Sequence, residues 1–153
     1  VPKNVNFVAF DFEGQTLDEA LRLGGVSGDL KTFFTWLGVQ MYLTDSAVQA
    51  TLKVMGAFPK GSEMVMDFVS PAYASKSGDT AQAEDYLQDV VSKMGEPVQS
   101  KYTEKELDSA LIGAGFNAVH FFKTSWLVDS YLQGNDEAYD MPYEATTFLS
   151  AVI

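Results

Sequence analysis

The sequence predicts an α/β fold built on a largely parallel sheet, and three observations carry that prediction. Short runs of β-branched and aromatic residues recur along the chain, each too short for a helix. Amphipathic stretches with helical spacing separate the earlier runs. Thr-x-x-Glu boxes and glycines mark where those helices begin and end. Strands that alternate with helical crossovers run parallel, because a crossover returns the chain to the same end of the sheet.

The first predicted strand is Val5 to Phe12, read as buried. Thr16-Leu17-Asp18-Glu19 then opens a helix with Leu17, Ala20 and Leu21 on one face, closed by Gly24-Gly25. Phe33 to Leu37 is the second strand. It leads through a loop, Gly38 to Leu43, into a helix from Asp45 to Phe58 that Pro59-Lys60-Gly61 stops. Met64 to Val69 is the third strand, and Ser70 to Gly78 a polar loop. Ala83, Leu87, Val90, Val91 and Met94 mark an amphipathic helix, broken at Gly95-Glu96-Pro97. A second capping box, Thr103-Glu104-Lys105-Glu106, opens a helix with Leu107, Ala110, Leu111 and Ala114 inward, ended by Gly115. Ala118 to Phe122 is the fourth strand. Trp126 to Tyr143 shows no convincing long helix, and Phe148 to Ile153 is a last strand. Without a long crossover helix, the last two strands are expected to pair antiparallel.

The length of 153 residues suits one domain, and 46% hydrophobic with 20% charged residues is ordinary for a globular protein. No apolar run approaches the roughly 18 residues that cross a bilayer, and no signal-peptide pattern is present, so a cytoplasmic location and no membrane partner are expected. Cysteine is absent, which excludes disulfides, thiolate metal sites and cysteine nucleophiles. The net charge of −11 repels a phosphate backbone and the basic residues are scattered, so no nucleic-acid partner is expected. Val1 opens the chain without a methionine and almost inside a strand-like segment, which suggests a piece of something longer.

In open parallel sheets ligands sit outside the carboxyl ends of the strands. Asp11 and Phe12 stand at such an end, where a carboxylate beside an aromatic ring suits an adenine amino group and its ring. The alternative is that Asp11 helps cap the next helix and Phe12 fills core. Tyr42 offers a hydroxyl to a ligand or packs before a helix start. Asp67, inside an apolar strand, is functional or lies at a solvated strand end. His120, the one histidine, reads as structural rather than as a general base. No metal-ligand spacing occurs, and neither does a glycine-rich nucleotide loop after a strand.

Several of these pieces, taken in order, resemble the leucine carboxyl methyltransferase-like family. They are Val8-Ala9-Phe10-Asp11-Phe12-Glu13, the run Phe33 to Thr44, and Pro59-Lys60-Gly61-Ser62-Glu63, followed by Gly95-Glu96-Pro97-Val98-Gln99-Ser100 and Gly115-Phe116. The resemblance implies a partial Rossmann-like class I methyltransferase sheet, mostly parallel, with an antiparallel C-terminal strand pair. It implies residues 1–153 as the C-terminal part of one methyltransferase domain, supplying strands three to seven of the order 3-2-1-4-5-7-6. The first two strands and the glycine-rich loop would then be missing, to be supplied by an absent N-terminal half or hidden by exchange with a second copy of the chain.

It further implies S-adenosylmethionine as cofactor, with Asp11 and Phe12 on the adenine and the Trp36-Leu37-Gly38 turn near the methionine part. Leu37 and Tyr42 are the weaker cofactor neighbours. The activity implied is methyl transfer to a carboxylate or hydroxyl oxygen of a small-molecule acceptor, by in-line displacement that depends on alignment and exclusion of water. The residues assign no catalytic group. Two other classes stay open: a non-catalytic α/β module that associates through its sheet edge, and a different nucleotide-binding enzyme of flavodoxin-like topology.

Overall fold

The computed structural model describes residues 2–70, 98–131 and 146–153. Along the chain these form α1 (Leu17–Leu23), β1 (Phe33–Trp36), a 3-10 turn (Gln40–Tyr42), α2 (Asp45–Met55) and β2 (Glu63–Val69). After these come α3 (Glu104–Ala114), β3 (Ala118–Lys123), α4 (Thr124–Tyr131) and β4 (Thr146–Val152). The expected helix through Ala83 and Met94, with its flanking loop and breaker, lies outside the described residues.

Four strands form one sheet in the order β1-β2-β4-β3. Strand β1 is parallel to β2, with Phe33 opposite Glu63 and Trp36 opposite Met66. Strand β4 lies between β2 and β3 and runs antiparallel to both. Three strands therefore point one way and only β4 is reversed, as expected for the C-terminal pair. Neighbour by neighbour, however, two of the three ladders are antiparallel, because the reversed strand sits inside the sheet. The order equals the 4-5-7-6 portion of the expected methyltransferase sheet.

Side-chain alternation explains why this sheet needs its helices. Phe34 and Trp36 on β1, Met64, Met66 and Phe68 on β2, and Leu149 and Ala151 on β4 are buried together. Val48, Leu52 and Met55 of α2 and Leu107 and Leu111 of α3 belong to the same cluster. Each helix brings an apolar stripe with helical spacing to a strand face with period two. Gly56 and Gly115 let α2 and α3 approach: a Cβ at Gly56 would collide with the Ala114 carbonyl, and one at Gly115 would lie 2.7 Å from the Gly56 oxygen. Gly115 also has φ 114°, a left-handed conformation that closes α3 and strains any other residue.

The structure departs from expectation in more than one segment. Val5 to Phe12 forms no strand among the described residues, and most of it is exposed, Phe7 to 83%. Its composition suits a strand, yet a strand is stable only where a neighbour satisfies its backbone groups, and among the described residues no strand lies beside it. The described part of the stretch from Trp126 holds no long helix, as expected, but it does hold the end of a short one, the eight-residue α4. Its weak apolar pattern and its Thr, Ser and Val content conceal it from periodicity. The helix after Asp45 ends at Met55 rather than Phe58, where Gly56 caps it and donates its N–H to the Leu52 carbonyl.

Candidate functional site

The carboxyl end of β1 and the turn after it are tied by hydrogen bonds to distant parts of the chain. Leu37 is half exposed, and Gly38 has φ 70°. The Gly38 N–H donates to Asp67 Oδ1 at 2.7 Å. Asp67 therefore does not lie at a solvated strand end: it is buried on β2 and accepts a backbone bond that fixes the β1 turn.

The 3-10 turn is held from the far side of the sequence. Gln99 and Ser100 donate their backbone N–H groups to the Met41 carbonyl, at 2.7 and 3.3 Å. Gln99 Nε2 donates to the Tyr42 carbonyl at 2.8 Å. The fully buried Gln40 donates Nε2 to Ser100 Oγ at 2.6 Å, and that hydroxyl donates to the Gln40 carbonyl at 3.1 Å. Tyr102 then donates its hydroxyl to Asp45 Oδ1 at 2.7 Å, at the first turn of α2. Burial first, and then Asp45, push the Tyr102 phenol pKa well above its ordinary value. Two sequence pieces, the run ending at Thr44 and the Val98-Gln99-Ser100 piece, thus form one hydrogen-bonded unit across nearly sixty residues of chain.

Asp11 lies on the surface, where Oδ1 accepts from the Glu13 N–H at 3.0 Å and the backbone N–H donates to Gln15 Oε1 at 2.9 Å. That is an Asx-type turn. Thr16, not Asp11, caps α1. Phe12 is half-buried: its ring stacks on Trp36 at a centroid distance of 6.1 Å and meets Phe10 edge-on at 4.6 Å. Glu13, to which sequence reasoning assigned no role, reaches Thr44, with Oε1 accepting from its N–H and Oε2 from its hydroxyl, both at 2.9 Å. Asp11, Phe12, Leu37 and Tyr42 accordingly stand on two segments that these contacts join at one end of β1. His120 is elsewhere, exposed on β3, where it pairs with Ser150 across the ladder. Among the described residues no cluster of His, Cys, Asp or Glu is able to hold a metal ion, and no helix is long and apolar enough to cross a membrane.

The sheet order and the helices packed on it give a class I methyltransferase-like α/β fold, and solved structures share it. Human N-acetylserotonin methyltransferase, solved in complex with SAM, matches with a TM-score of 0.56 at 13% identity, covering 99% of this chain and 34% of that one. A DUF574-family protein of Streptomyces avermitilis matches with a TM-score of 0.56 at 14% identity, covering 91% and 53%. A SAM-dependent methyltransferase of Thermotoga maritima matches with a TM-score of 0.50 at 15% identity, covering 89% and 68%.

The sequence narrows the class. Residues 1–56 match the family model for leucine carboxyl methyltransferase. Over 121 residues the chain is 26% identical to Bacillus subtilis YktD, a candidate S-adenosyl-L-methionine-dependent methyltransferase, covering 75% of this chain. The chain spans 38% of YktD's length.

Proposed function

We propose that this chain is one flank of an S-adenosylmethionine-dependent O-methyltransferase, in which Asp11 and Phe12 hold the adenine of the cofactor. Leu37 borders its methionine part, and Tyr42 is a weaker neighbour of the cofactor. The observation that carries this reading is the stacking of Phe12 on Trp36, the last residue of β1, which joins the two segments bearing all four residues. The residues suit such a cofactor. Asp11 is an exposed carboxylate able to accept from an exocyclic amino group, and Phe12 beside it presents aromatic surface. Trp36 Nε1 and Gln40 Oε1, a donor and an acceptor in the same region, are buried and have no hydrogen-bond partner among the described residues.

S-adenosylmethionine, when bound, supplies an electrophilic methyl group on a sulfonium. The chain's part is to bind, to orient and to exclude water around the acceptor. The acceptor proposed is a small molecule with a carboxylate or hydroxyl oxygen. A carboxylate is already a nucleophile, so alignment does the work and no side chain here is assigned as acid or base. The order β1-β2-β4-β3 supports reading residues 1–153 as part of a single methyltransferase domain.

Isothermal titration of the intact protein with S-adenosylhomocysteine tests the site. Asp11→Ala is expected to weaken binding about tenfold or more, the scale of a hydrogen bond to a charged group. Asp18→Ala, an exposed carboxylate on α1, is expected to leave it unchanged. Equal affinities for Asp11→Ala and the parent protein would remove the assignment. Native mass spectrometry tests the wider reading, since a homodimer paired through the β1 edge with no cofactor affinity favours an association module instead.

A further inference from the structure

We infer that Glu13 is a positioning residue: by bridging to Thr44 it sets where Asp11 and Phe12 stand relative to the turn after β1. The inference rests on the cofactor site proposed above and adds a residue to it. Residues 2–16 have no ladder to place them, so side-chain contacts must do what a sheet would otherwise do. Several of the segment's bonds are local or internal to the first 24 residues, such as Asp11 N–H to Gln15 Oε1 and Asn6 Nδ2 to the Gly24 carbonyl. Among the described residues, the Phe12–Trp36 stack and the Glu13–Thr44 pair reach across to the sheet end.

Of these, the stack is adjustable, since offset rings slide at little cost. The Glu13 pair is directional. Both carboxylate oxygens accept at 2.9 Å, one from a backbone N–H and one from a hydroxyl of the same residue. Thr44 is itself fixed, because it is the N-cap of α2 and its Oγ1 accepts from the Ala47 N–H at 3.3 Å. The first turn of α2 also favours a negative charge at that point. A two-point bridge to a rigid helix start thus locates residue 13, and through the Asx turn it locates Asp11. Holding a binding group in place before the ligand arrives spares the ordering entropy that binding would otherwise have to meet.

The test compares Glu13→Ala, Glu13→Gln and Asp11→Ala in the intact protein. Three quantities are read: the S-adenosylhomocysteine Kd well below the melting midpoint, the hydrogen-exchange rate of the Thr44 amide, and the midpoint itself. Glu13→Ala is expected to speed Thr44 exchange and to raise Kd about tenfold, with Asp11→Ala doing at least as much to Kd. Glu13→Gln keeps an oxygen that accepts from the Thr44 N–H, and is expected to restore most of the affinity and the protection. If Glu13→Ala lowers the midpoint and speeds exchange but leaves Kd within about twofold while Asp11→Ala weakens binding, Glu13 is merely structural and the inference falls alone. If neither variant alters Kd, the cofactor site falls and the inference with it.

Discussion

Two segments of this chain have the composition of buried strands and meet opposite fates. Met64 to Val69 lies in the middle of the sheet, laddered on both sides, with Met64, Met66 and Phe68 fully buried. Val5 to Phe12 carries as many apolar residues and remains outside the sheet, with Phe7 largely in solvent. The difference is not propensity but company. A strand's stability comes from cross-strand pairing and from a surface to cover, and of these two segments only Met64 to Val69 has both. Residues 2–32 lean on the core through the partly buried Phe12, Leu17 and Leu21, while the sheet and its two helices supply its buried centre.

The largest effect that separates the two regions is expected from truncating a phenylalanine in each. Phe68 is fully buried on β2 and meets Phe121 edge-on at a centroid distance of 6.0 Å. Phe68→Ala removes that volume from a site enclosed by helices and strands, and is expected to cost about 3–5 kcal/mol. Phe7→Ala is expected to change stability by no more than about 0.5 kcal/mol. Urea denaturation of both variants beside the parent protein checks the pair. A loss above about 2 kcal/mol at Phe7 would mean that the first segment is packed against something substantial.

Glycines sharpen the same contrast at a smaller scale. Gly56→Ala places a methyl group against the Ala114 carbonyl, so α2 and α3 must separate or tilt, at an expected cost of about 1–3 kcal/mol. Gly28, in the first region, has nothing within 4 Å of an added Cβ and does not have a positive φ. Gly28→Ala is therefore expected to be neutral or to stabilise by up to about 1 kcal/mol, through a less flexible unfolded chain. Thermal melts followed by circular dichroism report both signs. A stabilising Gly56→Ala would show that the helices are not in close contact.

The same contrast decides what was legible in the sequence. Strands β1, β2, β3 and β4 and helices α1 to α3 follow from local pattern because each also finds its partner, so local and global preferences agree. Val5 to Phe12 was misread for the opposite reason: pattern reports what a segment is able to do, not whether a neighbour exists. The site was legible only in part. A carboxylate beside an aromatic at Asp11 and Phe12 is a local signal, and so is the Gly38 turn. The bonds that assemble the site are not local. Glu13 reaches Thr44 over 31 residues and Gln40 reaches Ser100 over 60, and no periodicity records such a pair. Asp67 shows the same limit, since its buried carboxylate makes sense only once Gly38 is known to face it.

The smallest expected difference lies between the N-caps of α1 and α3, and it carries a pH signature. Thr103 has the full reciprocal box: its hydroxyl accepts from the Glu106 N–H at 3.2 Å, and Glu106 Oε2 accepts from the Thr103 N–H at 2.8 Å. Thr16 has one side-chain bond, from the Glu19 N–H at 3.4 Å. Thr103→Ala is expected to cost about 1 kcal/mol and Thr16→Ala about 0.5 kcal/mol. The backbone bond from Thr103 first, and its hydroxyl second, hold the Glu106 carboxyl below the ordinary carboxylate range. A carboxyl whose pKa is lower in the folded state than in the unfolded one stabilises the fold above its unfolded pKa, and that contribution is lost as pH falls through the folded value. Glu106 is fully exposed, so the effect is read as a slope rather than an energy. Glu106→Gln is expected to flatten the fall in melting midpoint on acidification below about pH 4.5, while Thr16→Ala leaves that slope as it is. An unchanged acid slope in Glu106→Gln would mean that the box at α3 holds no better than the single bond at α1, and the two regions would then differ in packing alone.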